Sequence, residues 1–349
     1  MNGYVAEVTG APCPTLVLEV DGIADAEHVL RPLLTEVRRR LVRQGHADVL
    51  KIALVSASQH PLFDLDYRFV QCLPEALDAF DFRGSCGHSI LATVLVAGEL
   101  RLVPRLAPGD RVRLRVLNNG DHIVCEVDGS RRLSGDFTLH FVQPQGTRLS
   151  RLLMTGRPVD VVSTPAGTYE VSLASLGNPY VFVDARDLGI GSQAALFGAG
   201  AAVFDEMQQI RRAAATLLGM PADSVFPKVA AVASYQGDRL SVRSISVPTW
   251  HPTLALTGTI CLAAAASRPG TVPARFLDGR AGGTTRVEID TAGGSTAALV
   301  KVEREPADAL LQWVSVSRKQ ARLLSGPLDL DTVRPYAARA GAEPLPLTA

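Results

Sequence analysis

Arg83-Gly-Ser-Cys-Gly-His-Ser-Ile-Leu-Ala-Thr-Val-Leu-Val-Ala97 turns apolar on every side once its first seven residues are past. Leu256-Thr-Gly-Thr-Ile-Cys-Leu-Ala-Ala-Ala-Ala-Ser267 does the same after its first four. A helix without a polar face has to be buried all round, so each of these reads as a helix through the middle of a domain. They lie about half the chain apart. Each opens on a glycine beside hydroxyl or thiol residues. The pattern predicts two domains of one design, each a strand-rich shell around a central helix.

The rest of the chain supplies the shell. Strand patterns cover Thr15–Val20, Leu50–Ala57, Val112–Leu117, Ile123–Val127, Asp136–Val142, Val159–Ser163, Tyr169–Leu173 and Tyr180–Ala185. Asn118-Asn-Gly-Asp121 is a strong hairpin turn, and the pairs Gly282-Gly283 and Gly293-Gly294 read as further turns. Peripheral helices are expected at Ala26–Gln44, Ala195–Leu218 and Trp313–Leu324. The last two stop at Gly219-Met-Pro221 and at Gly326-Pro327. The class is α+β. The first domain is expected over residues 1–147 with a return at about 326–349, and the second over 148–325.

Composition narrows the function. The 349 residues carry 35 basic and 35 acidic side chains, 47% hydrophobic and 20% charged residues, which is ample for packed cores and excludes disorder. A zero net charge without a basic block argues against nucleic acid. Neither a membrane span nor a signal peptide is evident, so a cytoplasmic protein is expected. Cys13, Cys72, Cys86, Cys125 and Cys261 form no Cys-x-x-Cys pair, which points to reduced thiols and no structural zinc. No glycine-rich phosphate loop follows a strand, and no metal-ligand spacing appears, so no nucleotide site and no metal are expected.

Chemistry concentrates at the mouths of the two central helices. A helix N-terminus presents unpaired N–H groups and a partial positive charge, which suits carboxylates and developing enolates. Cys86 stands at the first mouth, where a thiol is readily ionised. A small packed thiol is the plainer alternative. Lys51 opens the apolar run Lys51-Ile-Ala-Leu-Val-Ser56 in a chain with only four lysines, and a buried lysine there could act as a base. Ser85, Gly87 and His88 flank Cys86; His88 either reaches substrate or packs. His251, before Pro252, is a candidate substrate contact. Thr257, Gly258 and Thr259 form the second mouth, with Cys261 a turn further in, where it reads as packing.

Taken in order, several segments resemble the PrpF family, the methylaconitate cis–trans isomerases and their relatives. They are Lys51-Ile-Ala-Leu-Val-Ser, Asp64-Leu-Asp-Tyr67, Ser85-Cys-Gly-His88, Thr155-Gly156 and Gly177-Asn-Pro-Tyr-Val-Phe-Val-Asp-Ala-Arg-Asp-Leu-Gly189. Arg243-Ser-Ile-Ser246, His251, Thr257-Gly-Thr-Ile-Cys-Leu-Ala-Ala-Ala-Ala266, Pro269-Gly-Thr271 and a closing segment Val316–Gly326, read as a helix, follow. The resemblance spans about residues 48–330. It implies a diaminopimelate-epimerase-like fold with the site in a cleft between two domains. It also implies cofactor-independent 1,3-allylic proton shifts on a small unsaturated carboxylate, with C=C migration or cis–trans isomerisation.

By position, the family's acid/base lysine and cysteine map onto Lys51 and Cys86. Asn178 and the backbone at Gly87 and Gly258 map onto carboxylate contacts. The chain departs from the family at several points. Thr9-Gly-Ala-Pro-Cys-Pro-Thr15 stands where the family has Gly-Gly-Thr-Ser-Lys-Gly, Cys86-Gly-His88 replaces Cys-Gly-Asn, and Asp290-Thr-Ala-Gly293 replaces His-Pro-Ser-Gly. Polar anion contacts are thereby lost, which suggests a less anionic substrate, as in a natural-product or catabolic side pathway. A non-catalytic binding protein and a two-base epimerase on the same fold are the alternatives. The sequence leaves the oligomeric state open, a homo-oligomer included.

Overall fold

The computed structural model describes residues 3–23, 26–246, 249–277, 283–304 and 308–328. The chain divides into two compact units. Among the described residues, the first comprises Gly3–Thr9, Cys13–Phe137 and Arg318–Leu328; the second comprises Gly10–Pro12 and the described part of Thr138–Ser317. Both later division points fall inside strands, Ser134–Arg148 and Leu310–Leu328. Gly282 and residues beyond 328 lie outside the described residues, so the expected turn at Gly282-Gly283 and most of the expected C-terminal return are not described.

In the first unit, strand Thr15–Glu19 runs parallel to Lys51–Ala57, and helix Glu27–Arg43 connects them. That helix buries Leu30, Leu33, Leu34, Val37 and Leu41, a stripe at helical spacing, against the strands. Lys51–Ala57 is antiparallel to Leu65–Cys72, and the short strand Phe80–Asp81 leads into the central helix Gly87–Glu99. Arg111–Val116 then lies parallel to Leu65–Cys72 and antiparallel to His122–Arg131, through the turn at Asn118–Asp121. The ring closes through Ser134–Arg148, the last strand Leu310–Leu328 and the first strand Gly3–Val8, which pairs with Thr15–Glu19. All of Gly87–Ala97 is buried inside.

The second unit repeats this order. Asn178–Asp184 is parallel to Lys228–Gln236, with helices Gln193–Phe197 and Ala201–Leu217 between them. Lys228–Gln236 is antiparallel to Arg239–Ser246; the short Thr249–Trp250 leads into the central helix Leu256–Ala266. Gly283–Thr291 is parallel to Arg239–Ser246 and antiparallel to Gly294–Glu303. Every residue of Leu256–Ala266 is buried. Strands Asp160–Ser163 and Thr168–Leu176 complete the sheet beside Asn178–Asp184.

Three sequence expectations need correction. Trp313–Leu324, including the supposed closing helix, is part of the strand Leu310–Leu328. It pairs with Gly294–Glu303 on one stretch and with Gly3–Val8 on the next. Both pairings bury its apolar residues, Leu311, Val314, Val316 and Ala321 among them, and outweigh the helical propensity of Arg-Lys-Gln-Ala-Arg. The expected single helix Ala195–Leu218 is broken at Gly198-Ala-Gly200, where Gly198 ends the first piece and Gly200 caps the second. The second central helix starts at Leu256, so Thr257, Gly258 and Thr259 belong to its first turn.

Candidate active site

Lys51 is the first residue of its strand, bracketed by Thr15 on one side and Gln71 on the other. It is only 5% exposed. Among the described residues its ammonium group has neither an ion pair nor a hydrogen bond. Burying a cation without a carboxylate is costly, so an anion bound beside Lys51 would be stabilised there.

Cys86 caps the central helix with extended backbone (φ −140°, ψ 106°) and stays half-buried. Its carbonyl accepts the Ile90 N–H at 3.0 Å and the Tyr67 hydroxyl at 3.3 Å. Tyr67 is fully buried. Burial first, and the charge of Cys86 second, push its hydroxyl well above the ordinary tyrosine value, so it stays a proton donor. Ser89, in the first turn, hydrogen-bonds Tyr67 and lies 3.0 Å from the Thr15 hydroxyl. This buried hydroxyl chain pins the helix mouth to the two strands that flank the Lys51 strand. No acidic residue occupies the first turn, so the helix dipole there is uncompensated by protein charge.

Cys13 completes the cluster. Burial pushes its thiol up, the Lys51 ammonium pulls it down, the Leu50 N–H donates to it, and Cys86 stands close enough to push it up again. Lys51 and Cys86 are thus both within electrostatic reach of Cys13. Ser85 and His88 are each 2% exposed and turn inward, while Gly87 is buried in the first turn. The remaining thiols are enclosed. Burial pushes Cys72 and Cys261 up to about 12 and Cys125 higher still.

In the second unit Asn178 opens its strand, is 1% exposed and donates from Nδ2 to the Thr257 hydroxyl at 3.1 Å. Gly177, with φ +73°, lets the chain turn into that strand; a Cβ there would lie 3.2 Å from the Thr257 methyl. Gly258 is required for a different reason, since a Cβ would fall 2.5 Å from the Tyr180 hydroxyl. The Thr259 hydroxyl is turned back onto the Ala255 carbonyl. His251 is 3% exposed. Its Nδ1 accepts the Thr253 N–H at 3.1 Å, which places any ring proton of the neutral form on Nε2. Cys261 points to the Ala174 carbonyl. No thiol stands at this mouth.

Sequence reasoning singled out Lys51 and Cys86 but passed over Cys13, Tyr67, Ser89 and Thr15. Tyr67 lay in a motif already quoted, and Cys13 lay in the departure from the Gly-Gly-Thr-Ser-Lys-Gly loop. Among the described residues no group of three or more His, Cys, Asp or Glu could hold a metal, and no helix is long and apolar enough to cross a membrane.

Two barrels with central helices, one presenting a lysine and thiols at a helix mouth, define an epimerase-like isomerase fold of the α+β class. The PrpF protein family model matches residues 44–331, and the chain belongs to that family. It is 27% identical over 316 residues to 3-methylitaconate isomerase of Eubacterium barkeri, covering 79% of this chain and 81% of the relative. It is 28% identical over 287 residues to (4E)-oxalomesaconate Delta-isomerase of Novosphingobium sp. (strain KA1), covering 76% and 79%. A crystal structure of methylitaconate-delta-isomerase superposes with a TM-score of 0.64 at 22% identity, over 93% of this chain and 94% of that one. The fold is diaminopimelate-epimerase-like, and the chain is an isomerase.

Proposed function

We propose that this isomerase moves a proton between the two ends of an allylic system in a small unsaturated carboxylate, with Lys51 and Cys86 as the acid/base pair. Lys51, as the amine, takes a proton from the saturated allylic carbon. The C–H electrons form the new C=C bond, and the charge spreads onto the carboxylate as a dienolate. The Cys86 thiol returns a proton to the far carbon. Transfer of the proton from the Lys51 ammonium to the Cys86 thiolate resets the site, and the reverse shift uses the same groups in exchanged roles. The N–H groups of the first turn stabilise the dienolate, which carries more charge on its oxygens than the substrate does.

The observation that carries this reading is the buried Lys51, which makes no ion pair among the described residues, beside a helix mouth without acidic residues. Asn178, Thr257 and Gly258 are assigned carboxylate-holding roles at the second helix mouth, with Thr259, whose hydroxyl and N–H both go to the Ala255 carbonyl, shaping that turn, and Ser85, Gly87 and His88 support the first. His251 contacts substrate from its loop. The enclosed Cys261 argues against a two-base epimerase, which needs a second reactive thiol. Loss of the family's early polar loop favours a substrate with fewer carboxylates. Five reduced thiols fit the cytosol.

The test is deuterium incorporation from D2O, followed by NMR. The panel starts with 3-methylitaconate and 4-oxalomesaconate and continues to their monoesters. Exchange or C=C migration that Lys51→Ala and Cys86→Ser both abolish supports the reading. Full activity in both variants refutes the assignment of the pair.

A further inference from the structure

The repeated topology aligns the two units residue by residue at one point. Thr15 pairs with Lys51 across the parallel strands of the first unit, and Tyr180 pairs with Lys228 across the parallel strands of the second. Two residues before each tyrosine or threonine stand Cys13 and Asn178, each followed by proline: Cys13-Pro-Thr-Leu-Val-Leu18 against Asn178-Pro-Tyr-Val-Phe-Val183. Cys13 is therefore the first unit's counterpart of Asn178, whose side chain donates to the mouth of its own central helix.

The surroundings of Cys13 differ from those of a packing thiol. Cys72, Cys125 and Cys261 are 0–1% exposed, whereas Cys13, like Cys86, is only half-buried. Its sulfur receives the Leu50 N–H, so it faces the start of the Lys51 strand. Pro12 and Pro14 on either side fix φ and stiffen the segment. Thr15, two residues on, ties the same segment to the first turn through Ser89. Nothing in the reaction proposed above uses this thiol.

We infer that Cys13 is a third functional group of the Lys51–Cys86 site, a neutral S–H that donates to the substrate oxygen on which the dienolate charge develops. The inference rests on the isomerase chemistry proposed above. It makes Cys13 the titratable equivalent of the Asn178 amide, in the place where the family's polar loop has been lost. Burial, which outweighs the pull of Lys51, keeps the thiol protonated, and it lends a hydrogen bond without giving up its proton.

Two measurements on the full chain test it. The first is peptide-mapped alkylation by iodoacetamide across pH, with and without mesaconate as the carboxylate probe. Cys13 and Cys86 should react while Cys72, Cys125 and Cys261 do not, and mesaconate should slow both. Lys51→Met should move the Cys13 profile to higher pH and lower its rate about threefold at fixed pH; Cys86→Ser should move it the other way. The second is the D2O exchange assay. Cys13→Ala should lower kcat about tenfold with an unchanged melting temperature, and Cys13→Ser, which keeps a donor, should recover part of the loss.

A Cys13 that fails to react, or whose profile neither variant moves, overturns the inference. So does a Cys13→Ala enzyme that exchanges at the wild-type rate, or mesaconate protecting Cys86 alone. If wild-type protein exchanges none of the panel but mesaconate protects both thiols, the proton-shift reading fails while Cys13 remains part of a carboxylate site.

Discussion

The mouths of the two central helices occupy the same place in two barrels built in the same strand order, and they are equipped differently. The first has Cys86, Cys13 and a buried Lys51 that makes no ion pair among the described residues. The second is filled by an amide, hydroxyls and a tyrosine ring pressed on Gly258, with Lys228 over the Phe226 ring at 5.9 Å rather than buried beside a thiol. Both mouths keep the backbone donors of a helix start, while the lysine and the half-buried thiols stand at one of them. Anion holding needs only the helix terminus; proton transfer needs groups that titrate.

The largest effect expected from this contrast is on turnover. Lys51→Ala or Cys86→Ser should cost about 10²–10⁴-fold in exchange rate, while Thr257→Ala should cost far less. Equal losses in all three would erase the distinction. Next comes Gly258→Ala, where the new Cβ meets the Tyr180 hydroxyl and Leu254. It should destabilise the protein by about 1–3 kcal/mol in urea unfolding, and Tyr180→Phe in the same chain should restore part of that. A smaller change is expected for Tyr67→Phe. Loss of its bond to the Cys86 carbonyl should cost about 1 kcal/mol and loosen the thiol, read as a shifted Cys86 alkylation profile.

The smallest effect compares one ion pair in each unit, at the start of Leu65–Cys72 and of Arg239–Ser246, each reaching the strand that runs parallel to it. Asp64 faces Arg113 in the first unit and Arg239 faces Asp290 in the second, with the charges exchanged. At Asp64 burial pushes the carboxyl up, but the bonds from Arg113 outweigh it; at Asp290 the bond from Arg239 leads, and both carboxyls are held below the usual range. Their stabilisation is present above the ordinary aspartate value near 4 and is lost as pH falls through the lowered native value. Urea midpoints taken from pH 6 to 3 should fall less steeply in Asp290→Asn than in wild type. Both arginines are half-exposed, so the difference will be modest and salt-sensitive.

What could be read in advance followed from strong periodicity. Ile90–Ala97 and Ile260–Ala266 are apolar on every face, and only a fully enclosed helix satisfies them. Asn118–Asp121 carries its own turn chemistry. The segment Trp313–Leu324 misled because its charged half has good helical propensity, and the partners that make it a strand are remote in sequence, Val8 against Ala321 and Ala298 against Val316. At the site, Lys51 and Cys86 stood out by residue type and position. Cys13 did not, because its meaning depends on a register match with Asn178-Pro-Tyr that only the paired strands reveal. Tyr67 and Ser89 act by hydrogen bonds to backbone and to each other, which leave no spacing signature.

The strand Leu310–Leu328 belongs to both units, changing allegiance at Arg318, whose φ is +57°. Gly3 finds its partner at Leu328. The barrel that carries Lys51 and Cys86 therefore has its first strand waiting, during synthesis, for nearly the whole chain to leave the ribosome. Its contact order is high, and the edge of Gly3–Val8 on that side stays unpaired until then. The unit that holds Lys51 and Cys86 is thus closed by a strand from the far end of the described chain, so whatever interrupts translation within the second unit leaves a lysine and a thiol in a barrel that cannot shut.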